Sequence, residues 1–594
     1  MHLNLFLPQP APRGGRAGLA RRVLRRLGPS WEATPARRVV QTLAFALFLF
    51  LFLYVMWPYG SKDYAALRQS KEFLDAESFL AVDPLVSLST ALAARAWVWS
   101  LAWAAALVAA CLVFPRGFCG YLCPLGTFLD LVDWAVGRRV ARLRPARVGA
   151  ARHLRYYVLT AVLAAAALGV LLSGFVAAIP VLVRGMAFIL GPLQIGGLKG
   201  WYLVPPVGAG QVASAVLFAV IVATALLGPR FWCRYVCPSG AVFSATSALR
   251  LAERKVDATC IRCGKCAAAC SFDAIREDFS TRAADCTFCQ TCGGVCPVRA
   301  IQFVGRWEAA AAPAGGAPDA PASGSEKHAP ASGAVPVSRR GLLACAAGGM
   351  AAALGIQAVS AAGQPFPVRP PGSAPEREFL RLCIRCGACY QACPNNVLQP
   401  MGLEGGLDGL WTPQVVANWS GCEPTCNNCG HVCPTGAIRA LPMDEKRVAR
   451  MGLAVVNTET CLPHVGCEQA CQMCYDECRA AGYNAIEFVR VGVSVDTDGN
   501  PIEGSGYPAP VVVPEKCVGC GLCQTRCYRI NVLANRFLED TAIRVVAGPG
   551  KEDRLMRGSY LALREGERRR RDAERRRREG QGGAADAYLP DFLK

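Results

Sequence analysis

The chain has 594 residues, 31 cysteines and only five histidines, with 53% apolar and 18% charged residues and a formal charge of +20. Its mean hydropathy, +0.26, is high for a soluble protein and points to membrane spans. A secreted disulfide scaffold is excluded, because such chains are short and lack several long apolar runs. Covalent c-type haem is argued against by the absence of any Cys-x-x-Cys-His, and haem within the membrane by the absence of histidine from the long apolar runs. No nucleic-acid partner is expected.

Residues 1–38 are polar and arginine-rich and read as a basic cytoplasmic N-terminus. Four long apolar runs follow, at 39–57, 96–114, 156–179 and 212–227, none of which contains a charged residue. Each approaches or exceeds the roughly 20 residues that a helix needs to cross a bilayer. They predict a four-helix membrane domain over 39–237. Arginines crowd the N-terminus, the loop after the second run (Arg138, Arg139, Arg142, Arg144, Arg147) and the segment after the fourth (Arg230, Arg234, Arg250, Arg254). The loops 58–95 and 180–211 have few. The positive-inside rule therefore puts the N-terminus, the second loop and residues 238–306 in the cytoplasm.

Residues 307–337 are mostly Ala, Pro, Gly and Ser and read as a linker. The segment 338–362 begins Ser338-Arg339-Arg340 and continues into a soft, Ala/Gly-rich apolar stretch. It resembles a twin-arginine export signal placed internally, with a fifth membrane helix as the alternative. Export would put 363–545, a second cysteine-rich region, on the periplasmic side. Residues 546–594 form an arginine-rich tail with Arg568–Arg571 and Arg575–Arg578, read as a solvated helix or tail.

Two cysteine motifs lie in 238–306: Cys260, Cys263, Cys266, Cys270 and Cys286, Cys289, Cys292, Cys296, the last followed by Pro297. This is the bacterial ferredoxin run, in which each 4Fe–4S cluster takes three cysteines from one motif and the fourth from the other. Cys260, Cys263 and Cys266 are expected to share a cluster with Cys296, and Cys286, Cys289 and Cys292 with Cys270. A tight turn presents three thiolates to three corners of the cube, and Gly264 permits the backbone to come close. Zinc sites need only two cysteine pairs.

Four further motifs lie in 363–545. They are Cys383, Cys386, Cys389, Cys393; Cys422, Cys426, Cys429, Cys433; Cys471, Cys474, Cys478 with a leading ligand; and Cys517, Cys520, Cys523, Cys527. Spacing favours Cys467 as the leading ligand of the third. Position favours Cys461, which follows a β-like run as Cys517 does, and Cys461 is the choice. The total is six motifs, 24 cysteines and six expected 4Fe–4S clusters, two cytoplasmic and four outside. Pairing among the outer four is not fixed by spacing.

Two pairs have another form, Cys119-x3-Cys123-Pro124 and Cys233-x3-Cys237-Pro238, each at a predicted cytoplasmic membrane boundary. They could bind a metal, form redox-active disulfides or contact a partner, and a redox or metal role is favoured because arginines lie beside them. The structural alternative is helix-end packing. Cys111 and Cys345 sit in apolar stretches as packing residues, and His431 and His464 lie beside cluster motifs without an expected ligand role.

Residues 38–303 resemble NapH, with four spans, the two Cys-x3-Cys-Pro pairs and two ferredoxin motifs. Residues 337–535 resemble NapG, with Ser338-Arg339-Arg340, the Cys422-x3-Cys426 variant and Cys433-Pro434-Thr435-Gly436-Ala437-Ile438. The membrane half is also similar to NosR-like and MauN-like proteins. The fold class expected is an α-helical membrane domain of four transmembrane helices plus α+β ferredoxin-like modules, one with two clusters and one with four.

The resemblance implies a quinol dehydrogenase of the bacterial inner membrane. It would pass electrons from the quinone pool to a c-type cytochrome or a periplasmic molybdenum reductase such as nitrate reductase, without haem. A maturation or redox-maintenance factor for a periplasmic metalloenzyme, of NosR or MauN/MauM type, is the alternative. The expected obstacle is a hydrocarbon core of about 30 Å between inner and outer clusters. Tyr59, Arg184, Lys199 and Tyr202 are polar residues near the outer ends of the spans, none assigned to a quinol site.

Overall fold

A computed structural model describes residues 29–55, 77–137, 150–198, 200–308, 338–360, 366–466, 471–494, 496, 502 and 505–586. Most of the N-terminal segment, most of the linker, Tyr59, Lys199, Cys467 and residues 361–362 lie outside the described residues.

Helix α1, Pro35–Tyr54, starts with proline in its first turn, where the missing N–H costs nothing. Gln41, Phe48, Leu51 and Phe52 face the interior, while Leu43, Leu47, Phe50 and Leu53 are exposed. An apolar outer face of this kind suits lipid. Short helices follow: α2 (Pro84–Ala94), α3 (Ser100–Val113), α4 (Pro124–Val132) and α5 (Leu154–Ala167). Two long ones come next, α6 (Ala178–Leu198) and α7 (Ala209–Ala223). After α8 (Pro238–Thr246) and the first cysteine-rich unit comes α9 (Arg339–Ser360).

Among the described residues, four helices are long and apolar enough to cross a membrane: Pro35–Tyr54, Ala178–Leu198, Ala209–Leu226 and Arg339–Val359. The number agrees with expectation, but the membership does not. The run at 96–114 gives a helix of only 14 residues. The run at 156–179 breaks after Ala167, where Gly169 takes φ +87°, open to glycine and strained for other residues. Residues 180–198, expected in a loop, are helical.

Arg184 hid that helix from a hydropathy reading. It is fully buried, yet Nε donates to Ser214 Oγ at 2.9 Å. Nη1 donates to the carbonyls of Gly174 (3.0 Å) and Arg385 (2.8 Å), and the guanidinium lies 3.9 Å from the Trp411 ring centre. An arginine tied to protein carbonyls is tolerated at membrane depth. Tyr202, by contrast, is largely exposed.

Helix α9 packs along α5. Gly349 has no Cβ where one would lie 2.3 Å from the Ala161 carbonyl, Gly341 touches Tyr157, and Gln357 Nε2 donates to Leu168 O at 2.8 Å. The Ser338-Arg339-Arg340 segment therefore leads into a helix docked against the rest of the molecule.

The cysteine-rich parts repeat one plan three times. An outer strand pair brackets two cysteine motifs and an inner pair lies between them. In the first unit, β1 (Ala252–Val256) pairs antiparallel with β2 (Ile301–Gly305), and Ile275 bridges to Thr281 inside. The second has an outer Ser373–Ile438 bridge around β3 (Leu398–Pro400) and β4 (Pro413–Val415). In the third, β5 (Leu453–Val456) pairs with β8 (Ile543–Val546), around β6 (Ile486–Val491) and β7 (Tyr507–Val512). The region 363–545, read as one module, thus contains two units of the same topology.

The second unit is seated among the apolar helices. Its helix α10 (Glu376–Leu382) packs on α2. Arg385 Nη1 donates to Leu171 O at 2.7 Å, and Trp411 Nε1 to Gly210 O at 2.7 Å. A Cβ on Gly174 would sit 2.2 Å from the Ile384 carbonyl.

Candidate metal centres

The motif loops share a backbone device. The residue before the second cysteine has positive φ in four motifs: Arg262 (52°), Phe288 (54°), Arg385 (56°) and Gly519 (68°). So does the residue after it: Gly264 (75°), Gln290 (59°), Gly387 (85°) and Gly521 (82°). Two left-handed residues curl the chain into a concavity whose N–H groups point inward, a shape suited to an anionic group. The Cys422–Cys433 motif, with an extra residue in its first gap, lacks both.

Tertiary packing groups the thiols by exchange between neighbouring motifs. Cys270 lies with Cys286, Cys289 and Cys292. Cys433 lies with Cys383, Cys386 and Cys389, and Cys393 with Cys422, Cys426 and Cys429. Cys527 lies with Cys461, Cys471 and Cys474, and Cys478 with Cys517, Cys520 and Cys523. The remaining four, Cys260, Cys263, Cys266 and Cys296, belong to the first unit, where Cys266 is buried and Cys263 exposed. Backbone N–H groups donate to the exchanged sulfurs: Ala274 to Cys270 (3.3 Å), Ile438 to Cys433 (3.5 Å) and Ala485 to Cys478 (3.2 Å). Among the described residues, no three or more His, Cys, Asp or Glu side chains close on a single metal ion.

The groups of 363–545 have a spatial order that differs from their sequence order. The Cys422 N–H donates to the Cys520 carbonyl at 2.7 Å, so the fourth motif adjoins the second. The group around Cys461 is the far end. His464 Nε2 meets the Pro510 carbonyl at 3.0 Å, beside that group. In the first unit, burial opposes the Cys289 thiolate, but Arg37 of α1 and Thr291 outweigh it and hold the pKa below the ordinary thiol value.

Cys119, Cys123, Cys233 and Cys237 are brought to one place, each within electrostatic reach of the others. Arg116 and Arg230 stand three residues before each pair, with φ 52° and 51°. The repeat is thus Pro-Arg-x2-Cys-x3-Cys-Pro-x-Gly, longer than the cysteine spacing alone suggests. Each arginine reaches across to the other half. Arg230 Nη1 donates to Cys119 O at 2.6 Å and lies over Gly126, while Arg116 Nη2 lies over Gly240. Arg230 also grips Asp130 at 2.7 and 3.0 Å, and Arg38 joins the same carboxylate at 2.7 Å. Burial works against the Asp130 carboxylate, yet these guanidiniums hold its pKa below the usual range.

A cavity of about 430 Å³ opens between α6, α7 and the second unit. Phe188, Val212 and Val216 form its apolar walls, and Tyr390, Gln391 and Gln399 close one side. Gln391 and Gln399 are over nine-tenths buried, and their Nε2 groups have no hydrogen-bond partner among the described residues. Gln391 lies between Cys389 and Cys393 in the chain. Sequence reading missed both glutamines, because nothing in their spacing distinguishes them from ordinary polar residues after a motif.

These features define an iron–sulfur electron-transfer protein of ferredoxin type, with helices capable of crossing a membrane. A family described as a 4Fe-4S binding domain matches residues 96–142, 211–255 and 429–448, and a second of that description matches 380–399. The chain is 36% identical over 207 residues to the ferredoxin-type protein NapG of Escherichia coli K12, covering 34% of this chain and 80% of that protein. It is 38% identical over 166 residues to the methylamine utilization ferredoxin-type protein MauM of Methylorubrum extorquens, 27% of this chain and 67% of the relative. It is also 29% identical over 203 residues to the putative electron transport protein YccM of Escherichia coli, 32% of this chain and 52% of the relative. The chain belongs to the NapG and MauM family of ferredoxin-type proteins. No solved structure matches it.

Proposed function

We propose that the protein is a membrane-bound quinol dehydrogenase of the NapGH type. It takes electrons from quinol beside the second unit and passes them to a c-type cytochrome or a periplasmic molybdenum reductase. The 24 motif cysteines are read as ligands of six 4Fe–4S clusters, and the buried, exchanged thiol groups fit that reading. A cluster of this kind, when bound, takes up or gives back one electron.

The cavity beside Tyr390 carries the proposal. Its volume lies in the range of small-molecule sites, about 300–1,000 Å³. Its walls are apolar, and two buried amide groups point unpartnered N–H donors at whatever occupies it. Quinol has a flat apolar ring and two oxygens, each able to accept such a bond. Val212 and Val216, both about half exposed on α7, would pass the apolar tail out toward lipid. Oxidation to quinone would release two protons to bulk water and pass two electrons, one each, to the clusters read at Cys389 and Cys393, between which Gln391 places the ring.

In this reading the arginine-rich end faces the cytoplasm, and α9 carries the chain across to the outer units and stays in place as an anchor.

The test uses anaerobic, cluster-replete protein mixed with a short-chain quinol analogue. The Gln391→Leu/Gln399→Leu double variant is expected to lose roughly five- to 150-fold in the rate of cluster reduction. That follows from hydrogen bonds worth about 0.5–1.5 kcal/mol each. Its iron content should be unchanged. A double variant reduced at the wild-type rate would remove the cavity from the mechanism.

A further inference from the structure

We infer that Cys119, Cys123, Cys233 and Cys237 together hold a seventh iron–sulfur cluster, of the 4Fe–4S class, which joins the first unit electrically to the outer ones.

The geometry is that of a two-fold built site. Cys123 caps α4 and Cys237 caps α8, both helices of nine residues with proline at the first position. The Gly240 N–H donates to Cys237 Sγ at 3.4 Å, and Gly126 holds the corresponding place three residues after Cys123. Each second cysteine thus stands at the positive end of a helix, where a negative sulfur is favoured. Both glycines leave room where a side chain would meet an arginine, Gly126 beside Arg230 at 3.1 Å and Gly240 beside Arg116 at 3.4 Å.

Charge also asks for an anion. Arg116 is 1% exposed, and among the described residues its hydrogen bonds run from Nη1 to the carbonyls of Ala284 and Asp285. Its Nε and Nη2 have no partner among the described residues, and Nη2 lies beside Gly240 and Cys237. Asp130 is already shared by Arg230 and Arg38. A buried guanidinium without a carboxylate is costly unless something negative stands near it. A cubane cluster on four thiolates carries about two negative charges in its oxidised state. The two segments that supply the thiols both fall within the matches to a 4Fe-4S binding domain.

Position gives the centre its role. Toward the first unit, Phe272 lies two residues from Cys270, with the Arg116 and Arg230 guanidiniums at 5.6 and 5.0 Å from its ring centre. Toward the outer units, Ser239, two residues after Cys237, donates to Asp83 at the start of α2. Six residues along α2, Ser89 donates to Ser173 Oγ at 2.7 Å, and the adjacent Gly174 touches Ile384, the residue after Cys383. Six residues of helix span only about 9 Å. Both sets of motifs thus reach into the membrane domain, and the four-cysteine site stands between them. Each transfer moves one electron and no proton: the donor centre is oxidised by one as its neighbour is reduced by one.

The electron-relay role rests on the six-cluster reading, whereas the four-cysteine site itself is tested independently. Full-length protein is purified anaerobically, and iron, zinc, acid-labile sulfide and native mass are measured per chain. The expectation is about 28 irons, from seven clusters of four. The C119S/C123S/C233S/C237S variant is expected to fall to about 24. The wild-type minus variant EPR spectrum of the reduced proteins should integrate to about one spin per chain. Cys111→Ser, a neighbouring buried thiol, should lose no iron. Because the quadruple variant could misfold, Arg116→Gln provides a second arm. Its iron content should match wild type, and one EPR component should shift to lower midpoint potential on losing the positive charge. Equal iron in wild type and quadruple variant, zinc in place of the lost iron, or two disulfides in iron-replete protein would each overturn the inference. A wild-type count far below about 24 would instead sink the six-cluster reading.

Discussion

At the scale of single residues, the third outer motif shows how position and spacing compete. Cys467 copies the spacing of the second motif, but Cys461 is buried beside Cys471, Cys474 and Cys527. Strand β5 sets it there, just as β7 sets Cys517. Cys461→Ser is expected to lose about four irons per chain, one cluster's worth, while Cys467→Ser loses none. Iron counting decides it, and a C461S protein with full iron content reverses the assignment. The motif cysteines were legible because chain-local spacing reports chain-local turns. Arg184, Gln391 and Gln399 were not, because a side chain's partners are set by whichever segments pack against it.

Among elements, the helices show where hydropathy succeeds and where it stops. Runs without charge or glycine, such as 39–54 and 212–223, form helices as expected. The run at 156–179 contains Gly169, and the chain turns there. The stretch from 180 carries Arg184, three buried glycines and Pro192, and still forms a 21-residue helix. Tertiary hydrogen bonds to Arg184 and close packing at Gly185 and Gly196 offset the local cost. Helix α9 likewise depends on its contact with α5. A leucine at Gly349 would collide with the Ala161 carbonyl and is expected to cost about 1–3 kcal/mol, as overpacking does. A fall of several degrees in thermal unfolding of the detergent-solubilised Gly349→Leu protein would show it. An unchanged transition would mean that the two helices do not touch.

For the whole molecule, the question is how the cysteine-rich units sit against the apolar helices. The second unit is wedged into the helices by Arg385, Trp411 and the notch at Gly174. The short helix α2 then leaves little distance between that notch and the four-cysteine site. Beyond the second unit, the order of neighbours gives a single row ending at the group around Cys461. If α9 anchors the outer units, the chain remains whole, and membranes should yield one polypeptide near 63.2 kDa. Mass spectrometry of the purified protein checks this, and a fragment beginning near residue 361 would show the segment to be a cleaved signal.

The sequence by itself determined the presence of six cysteine motifs, the existence of apolar helices and the pairing of two Cys-x3-Cys-Pro repeats. All are patterns written within a few turns of chain, where covalent spacing controls geometry. Only the tertiary structure decided which of the four motifs in 363–545 exchange their fourth cysteine, which helix carries a buried arginine, and that the two repeats meet face to face. Those outcomes depend on contacts between segments more than 100 residues apart, such as Arg230 with Cys119 and Arg184 with Arg385, whose partners no local pattern encodes.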